Sequence, residues 1–98
     1  MSIEEKRKYE RRPFVTTTRY YLTTQRTEKL EKIYNDAVTV DVSEGGLGII
    51  TDYPLANGDI LYFAHEIKVN NIVAKSAIVK WVKEIEGNRY RVGLEFRI

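Results

Sequence analysis

The chain ends R-Y-R-V-G-L-E-F-R-I, and in this stretch Arg89, Arg91, Glu95 and Arg97 alternate with Tyr90, Val92, Leu94, Phe96 and Ile98. A period of two puts one set on each face of an extended chain, so the segment predicts a half-buried strand of an antiparallel sheet. The same grammar recurs upstream. Residues 14–22 (FVTTTRYYL), 37–43 (AVTVDVS), 47–51 (LGIIT), 60–67 (ILYFAHEI) and 72–83 are rich in β-branched and aromatic residues. Between them stand turn residues: Asn57-Gly58, Asn70-Asn71 and Glu86-Gly87-Asn88. About six short strands in a chain this small must close on themselves to cover one apolar face and protect their edges. The expectation is an all-β fold, a six-stranded antiparallel β-barrel.

Residues 23–36 (TTQRTEKLEKIYND) depart from that pattern. Leu30, Ile33 and Tyr34 lie at helical spacing and Glu28 with Lys32 makes an i,i+4 pair. One or two helical turns within residues 27–34 and a long hairpin loop both fit. In residues 37–43 the alternation predicts that Val38, Val40 and Val42 face the core, leaving Asp41 and Ser43 together on the other face.

Ninety-eight residues suit one domain with one core. The sequence has no cysteine, which excludes disulfides and thiolate metal sites and accords with a reducing compartment. It opens without an apolar leader and holds no run approaching the ~20 apolar residues of a membrane span. A soluble, cytoplasmic domain without membrane insertion is expected.

The charge is uneven. Lys6 to Phe14 reads K-R-K-Y-E-R-R-P-F, with five basic residues in nine. Residues 1–12 carry those five against three acidic side chains, whereas the rest of the chain holds eleven of each sign, so the whole net charge of +2 lies on the opening segment. Domains that bind nucleic-acid polymers spread cations over a face long enough to follow many phosphates. A compact anion grip is the better reading, and no polymer partner is expected. Pro13 restricts Arg12 and separates the segment from the first strand. The chain accordingly divides into a flexible basic arm, residues 1–13, and a barrel domain, residues 14–98.

Enzyme chemistry finds little to build on. His65 is the only histidine and sits within a strand pattern, and no cluster has metal-ligand spacing. Gly45-Gly46-Leu47-Gly48 is followed by a strand pattern and not by the helix that a phosphate loop requires. A non-enzymatic protein without cofactor or metal is expected.

Two groups of residues remain as candidates for binding. Arg7 and Arg11 are four apart, which keeps both guanidinium groups on one side whether the Cα atoms are ~13 Å apart in an extended arm or ~6 Å apart in a helical one. Downstream, Asp41-Val42-Ser43-Glu44-Gly45-Gly46 offers two polar side chains and a turn where backbone can approach a ligand.

These groups, with Pro54-Leu55, Gly58-Asp59 and the closing Val92-Gly93-Leu94-Glu95-Phe96, resemble the PilZ domain, a receptor for the bacterial second messenger cyclic di-GMP. Its R-x-x-x-R motif falls on Arg7 and Arg11, and its [D/N]-x-S-x-x-G motif on Asp41, Ser43 and Gly46. The resemblance implies a six-stranded barrel, ligand contacts by those five residues, and a signal passed to a downstream protein. Lys6 stands where many ligand-binding members carry arginine, keeping the charge without the planar fork. Lys6, Arg12, Gly45 and Trp81 are secondary candidates for ligand contact. The chemistry agrees: arginine forks onto phosphate or guanine and stacks on purines, and a carboxylate accepts from guanine N–H groups. Two other readings stay open: a PilZ-like interaction module that no longer binds nucleotide, and a barrel for single-stranded nucleic acid that stacks bases on Tyr20, Tyr21 and Phe63.

Overall fold

A computed structural model of the chain describes residues 12–26 and 29–97. They form seven strands: β1 (Arg12–Pro13), β2 (Thr17–Arg26), β3 (Lys29–Val42), β4 (Gly46–Thr51), β5 (Ile60–Val69), β6 (Ile72–Ile85) and β7 (Arg89–Arg97). Every pairing is antiparallel, and the order β3-β2-β5-β6-β7-β4 closes because β4 also pairs with β3. The result is the expected six-stranded barrel, with β1 added outside it along β3. The sheet thus reaches two residues into the basic arm.

The turns fall where the sequence marks them. Gly58, Asn70, Gly87 and Asn88 all have positive φ, the conformation that glycine and asparagine tolerate best. Tyr20, Leu47, Ile49, Leu61, Val79 and Val92 fill the interior, each contributing roughly 1.5–3 kcal/mol by burial.

Two expectations are corrected. The helical turns considered for residues 27–34 do not form where the chain is described: from Lys29 onward it is strand, paired residue for residue with β2 from Arg26↔Lys29 to Thr17↔Val38. In the hairpin, Ile33 lies opposite Leu22, and the Tyr34 ring sits 5.2 Å from that of Tyr21. Cross-strand pairs therefore outweigh local helical spacing.

The second correction concerns the facing of β3. Ala37 and Thr39 point inward and Val38 is exposed, the reverse of the simple alternation. The cause is a bulge between Thr39 and Asp41 in the pairing with β4, where Val40 is the extra residue. One added residue exchanges the faces, so Val42 returns to the core and Asp41 points outward.

Candidate functional site

The bulge builds the site. Beyond it Asp41 lies opposite Gly48 of β4, Gly48 opposite Gly93 of β7, and Gly93 opposite Trp81 of β6. Four strands thus present one lateral row, Asp41–Gly48–Gly93–Trp81, on the outside of the barrel. The two glycines are its floor. A Cβ on Gly48 would lie 2.7 Å from Asp41 Oδ1, and a Cβ on Gly93 would run into the Trp81 indole, so each large side chain is laid over a glycine. Trp81 remains 46% exposed, leaving indole surface available for stacking. A second bulge, between Val79 and Trp81, brings Trp81 into the row.

Asp41 is also oriented electrostatically. Its Oδ2 is 3.7 Å from Nη2 of Arg91, which reaches across from β7. The sequence places Arg91 among solvent-facing arginines; the structure half-buries it and gives it a role at the site. That role has no local sequence signal, because it depends on the order of β3, β4 and β7 around the barrel.

Ser43 is 1% exposed, and its Oγ accepts from the N–H groups of both Gly45 and Gly46, each at 3.2 Å. This side chain shapes the loop from within. Gly46 is buried in β4, where a Cβ would strike the Leu94 carbonyl; the Gly45 carbonyl accepts from Phe96 N–H at 3.0 Å. Asn70 Nδ2, at the β5–β6 turn, donates to Glu44 Oε2 at 2.7 Å and ties the loop to a second hairpin. Of the motif, Asp41 offers its side chain outward, while Ser43 and Gly46 hold the backbone that surrounds it.

The arm approaches the same place. Arg12 pairs with Val42 and Pro13 with Asp41. Arg12 is exposed; Lys6, Arg7 and Arg11 lie outside the described residues. The root of the arm is fastened by Thr39, which sequence reasoning passes over. Its buried hydroxyl accepts from Thr16 N–H at 2.8 Å and donates to the Phe14 carbonyl at 2.6 Å, while Thr39 N–H donates to the Thr16 carbonyl at 2.7 Å. A hydroxyl on the inward face thus satisfies backbone where the chain leaves the regular ladder between β1 and β2.

Among the described residues no three His, Cys, Asp or Glu side chains gather in a way that could hold a metal, and no helix is long and apolar enough to cross a membrane. Tyr20 and Phe63 are buried, which removes two of the three rings offered for base stacking along a nucleic-acid strand. Tyr21 remains at the surface, already stacked on Tyr62 with ring centroids 5.2 Å apart.

The PilZ domain family model matches residues 5–98. The match covers nearly the whole chain and agrees with the barrel, and the chain belongs to the PilZ domain family. Its members are generally non-catalytic receptor domains that bind cyclic di-GMP. A comparison with curated proteins gave no match.

Proposed function

We propose that this protein is a cytoplasmic, non-catalytic receptor for cyclic di-GMP, which binds the dinucleotide between the basic arm and the Asp41–Trp81 row and signals to a partner protein. The observation that carries this reading is the pairing of Arg12 and Pro13 with Val42 and Asp41, which roots the arm beside the outward carboxylate. Arg7 and Arg11 supply forked cations for the phosphates and guanine edges, with Lys6 and Arg12 adding charge. Asp41 accepts from guanine N1 and N2 hydrogens, and the exposed face of Trp81 stacks on a base. Ser43, Gly45 and Gly46 hold the loop beside Asp41, the two glycine N–H groups being bound by Ser43 Oγ. Engagement of the arm changes the surface offered to the partner, in the manner of a segment ordered by its ligand.

Calorimetric titration of the full chain with cyclic di-GMP tests the reading. Saturable binding is expected, weakened about tenfold to a hundredfold by Arg11→Ala and comparably by Asp41→Ala, since charge-assisted contacts are worth ~1.5–3 kcal/mol. Unchanged affinity in both variants overturns the site. Absence of binding by the unmodified chain favours the interaction module that no longer takes nucleotide.

A further inference from the structure

The register of β6 and β7 sets two cations against each other beside the Asp41–Trp81 row. One repeat along the outer face, two residues or roughly 7 Å, leads from Gly93 to Arg91 and from Trp81 to Lys83. Arg91 and Lys83 are cross-strand partners. Val82, between Trp81 and Lys83, packs on the core, so Trp81 and Lys83 share the outward face. Like charges opposite each other in an antiparallel pair are destabilising, and a carboxylate beside each would offset the cost. Arg91 has Asp41, 3.7 Å from its Nη2. Among the described residues Lys83 has no ion pair. Glu95, on the same face of β7 beyond Gly93, is taken by Lys80 at 3.5 Å.

One carboxylate for two opposed cations leaves a positive charge that an anionic ligand can match. Cyclic di-GMP carries two phosphates. The arm is rooted at the β3 end of the row, whereas Trp81 and its neighbour Lys83 stand on β6, three strand spacings away, roughly 14 Å. We infer that Lys83 and Arg91 together bind the second phosphate of the ligand, an assignment that rests on the reading that the row takes cyclic di-GMP. The first phosphate falls to the arm.

Both side chains have donors for the task. The Arg91 side chain is 43% exposed and meets Asp41 through Nη2; a guanidinium has five N–H donors, so others remain for a phosphate oxygen. Lys83, exposed on the neighbouring strand, adds an ammonium with three rotatable donors. An anion between the two cations turns their repulsion into a shared attraction. Removing the Lys83 charge therefore acts in opposite directions on the two states: the free barrel loses a repulsion, and the complex loses a contact. A lysine that only supported the barrel would leave the ligand unaffected and weaken the free protein.

Lys83→Gln tests this with two measurements on the full chain. Without nucleotide at low ionic strength, its melting temperature should equal or exceed that of the unmodified chain. In calorimetric titration it should bind cyclic di-GMP about threefold to tenfold more weakly. Arg89→Gln removes the same charge from the same face of β7, two residues farther from the row, and should bind almost as the unmodified chain does. In double variants, Lys83→Gln with Arg91→Gln should lose less than the product of the single losses, because the two share one phosphate, whereas Lys83→Gln with Arg11→Ala should lose about the product. Full affinity in Lys83→Gln alongside weakened Asp41→Ala overturns the phosphate assignment and leaves the cyclic di-GMP reading standing. A lowered melting temperature in Lys83→Gln, or an equal loss of affinity in Arg89→Gln, also overturns it. An unmodified chain that takes up no cyclic di-GMP overturns both.

Discussion

Asp41 and Arg91 are paired across an intervening strand: Oδ2 on β3 lies 3.7 Å from Nη2 on β7, with β4 between them. Gly48, the β4 residue opposite Asp41, lacks the side chain that would fill that space. Both partners are partly solvated, so the pair is worth only ~0–1 kcal/mol of stability. Its consequence is orientation of the carboxylate. Arg91→Gln is therefore expected to leave the melting temperature within a few degrees of the unmodified chain while weakening cyclic di-GMP binding by roughly threefold to tenfold. Calorimetry with parallel thermal melts checks this. An unfolding shift with unchanged affinity would make Arg91 structural only.

Gly93 governs Trp81. Because a Cβ on Gly93 would enter the indole ring, Gly93→Ala must displace either Trp81 or the β7 backbone, at an overpacking cost of ~1–3 kcal/mol. Trp81 is the only tryptophan, so its fluorescence reports the event without ambiguity. The expected outcome is a red-shifted emission maximum, a lower denaturant midpoint and weaker ligand binding. Trp81→Phe should keep the fold and lose part of the affinity. If ligand leaves the native fluorescence untouched and Trp81→Phe binds normally, the indole does not meet the base.

Thr39 links stability to the arm. Thr39→Val keeps the shape but removes the hydroxyl that serves Thr16 N–H and the Phe14 carbonyl, two part-buried bonds, at a cost of ~0.5–1.5 kcal/mol. Thr39→Ser retains the oxygen and should cost much less. Hydrogen exchange gives the decisive measurement: Thr16 N–H and Phe14 N–H, which donates to the Val40 carbonyl at 3.0 Å, should lose protection in Thr39→Val and keep it in Thr39→Ser.

How far these features were legible depends on where their causes lie. The alternation in residues 89–97 and the Asn and Gly turns are local, and the strands and turns appear where the sequence puts them. The motif Asp41-x-Ser43-x-x-Gly46 was legible as a unit, but the separate tasks of its members were not. An extra residue at Val40 turns Asp41 outward, while backbone bonds within the loop enclose Ser43. A bulge is a two-strand event, invisible in one strand's periodicity. Arg91 and Thr39 were missed for the same reason, since their partners lie on other strands. Residues 29–34 misled because Leu30, Ile33 and Tyr34 satisfy a helical period, while the deciding partners, Leu22 and Tyr21, lie across the hairpin.

Tyr20 gives the stability of the fold an alkaline dependence. Its hydroxyl shares a 2.8 Å hydrogen bond with Thr51 Oγ1 in the buried interior. Burial pushes the phenol up to about 12, only partly offset by the Thr51 bond, because the phenolate would lose its hydration. The unfolded chain ionises near 10, so above that pH the unfolded state has released a proton that the native state still holds. Native stability from this group is complete below pH ~10 and falls as pH rises toward about 12, by roughly 2–3 kcal/mol in total. Tyr20→Phe removes that dependence while forfeiting the Thr51 bond, worth ~0.5–1.5 kcal/mol. Urea unfolding near neutrality should therefore show the variant less stable, with the gap closing and reversing as the buffer approaches pH ~11. A gap that is constant with pH would mean that Tyr20 ionises as readily inside the barrel as in the unfolded chain.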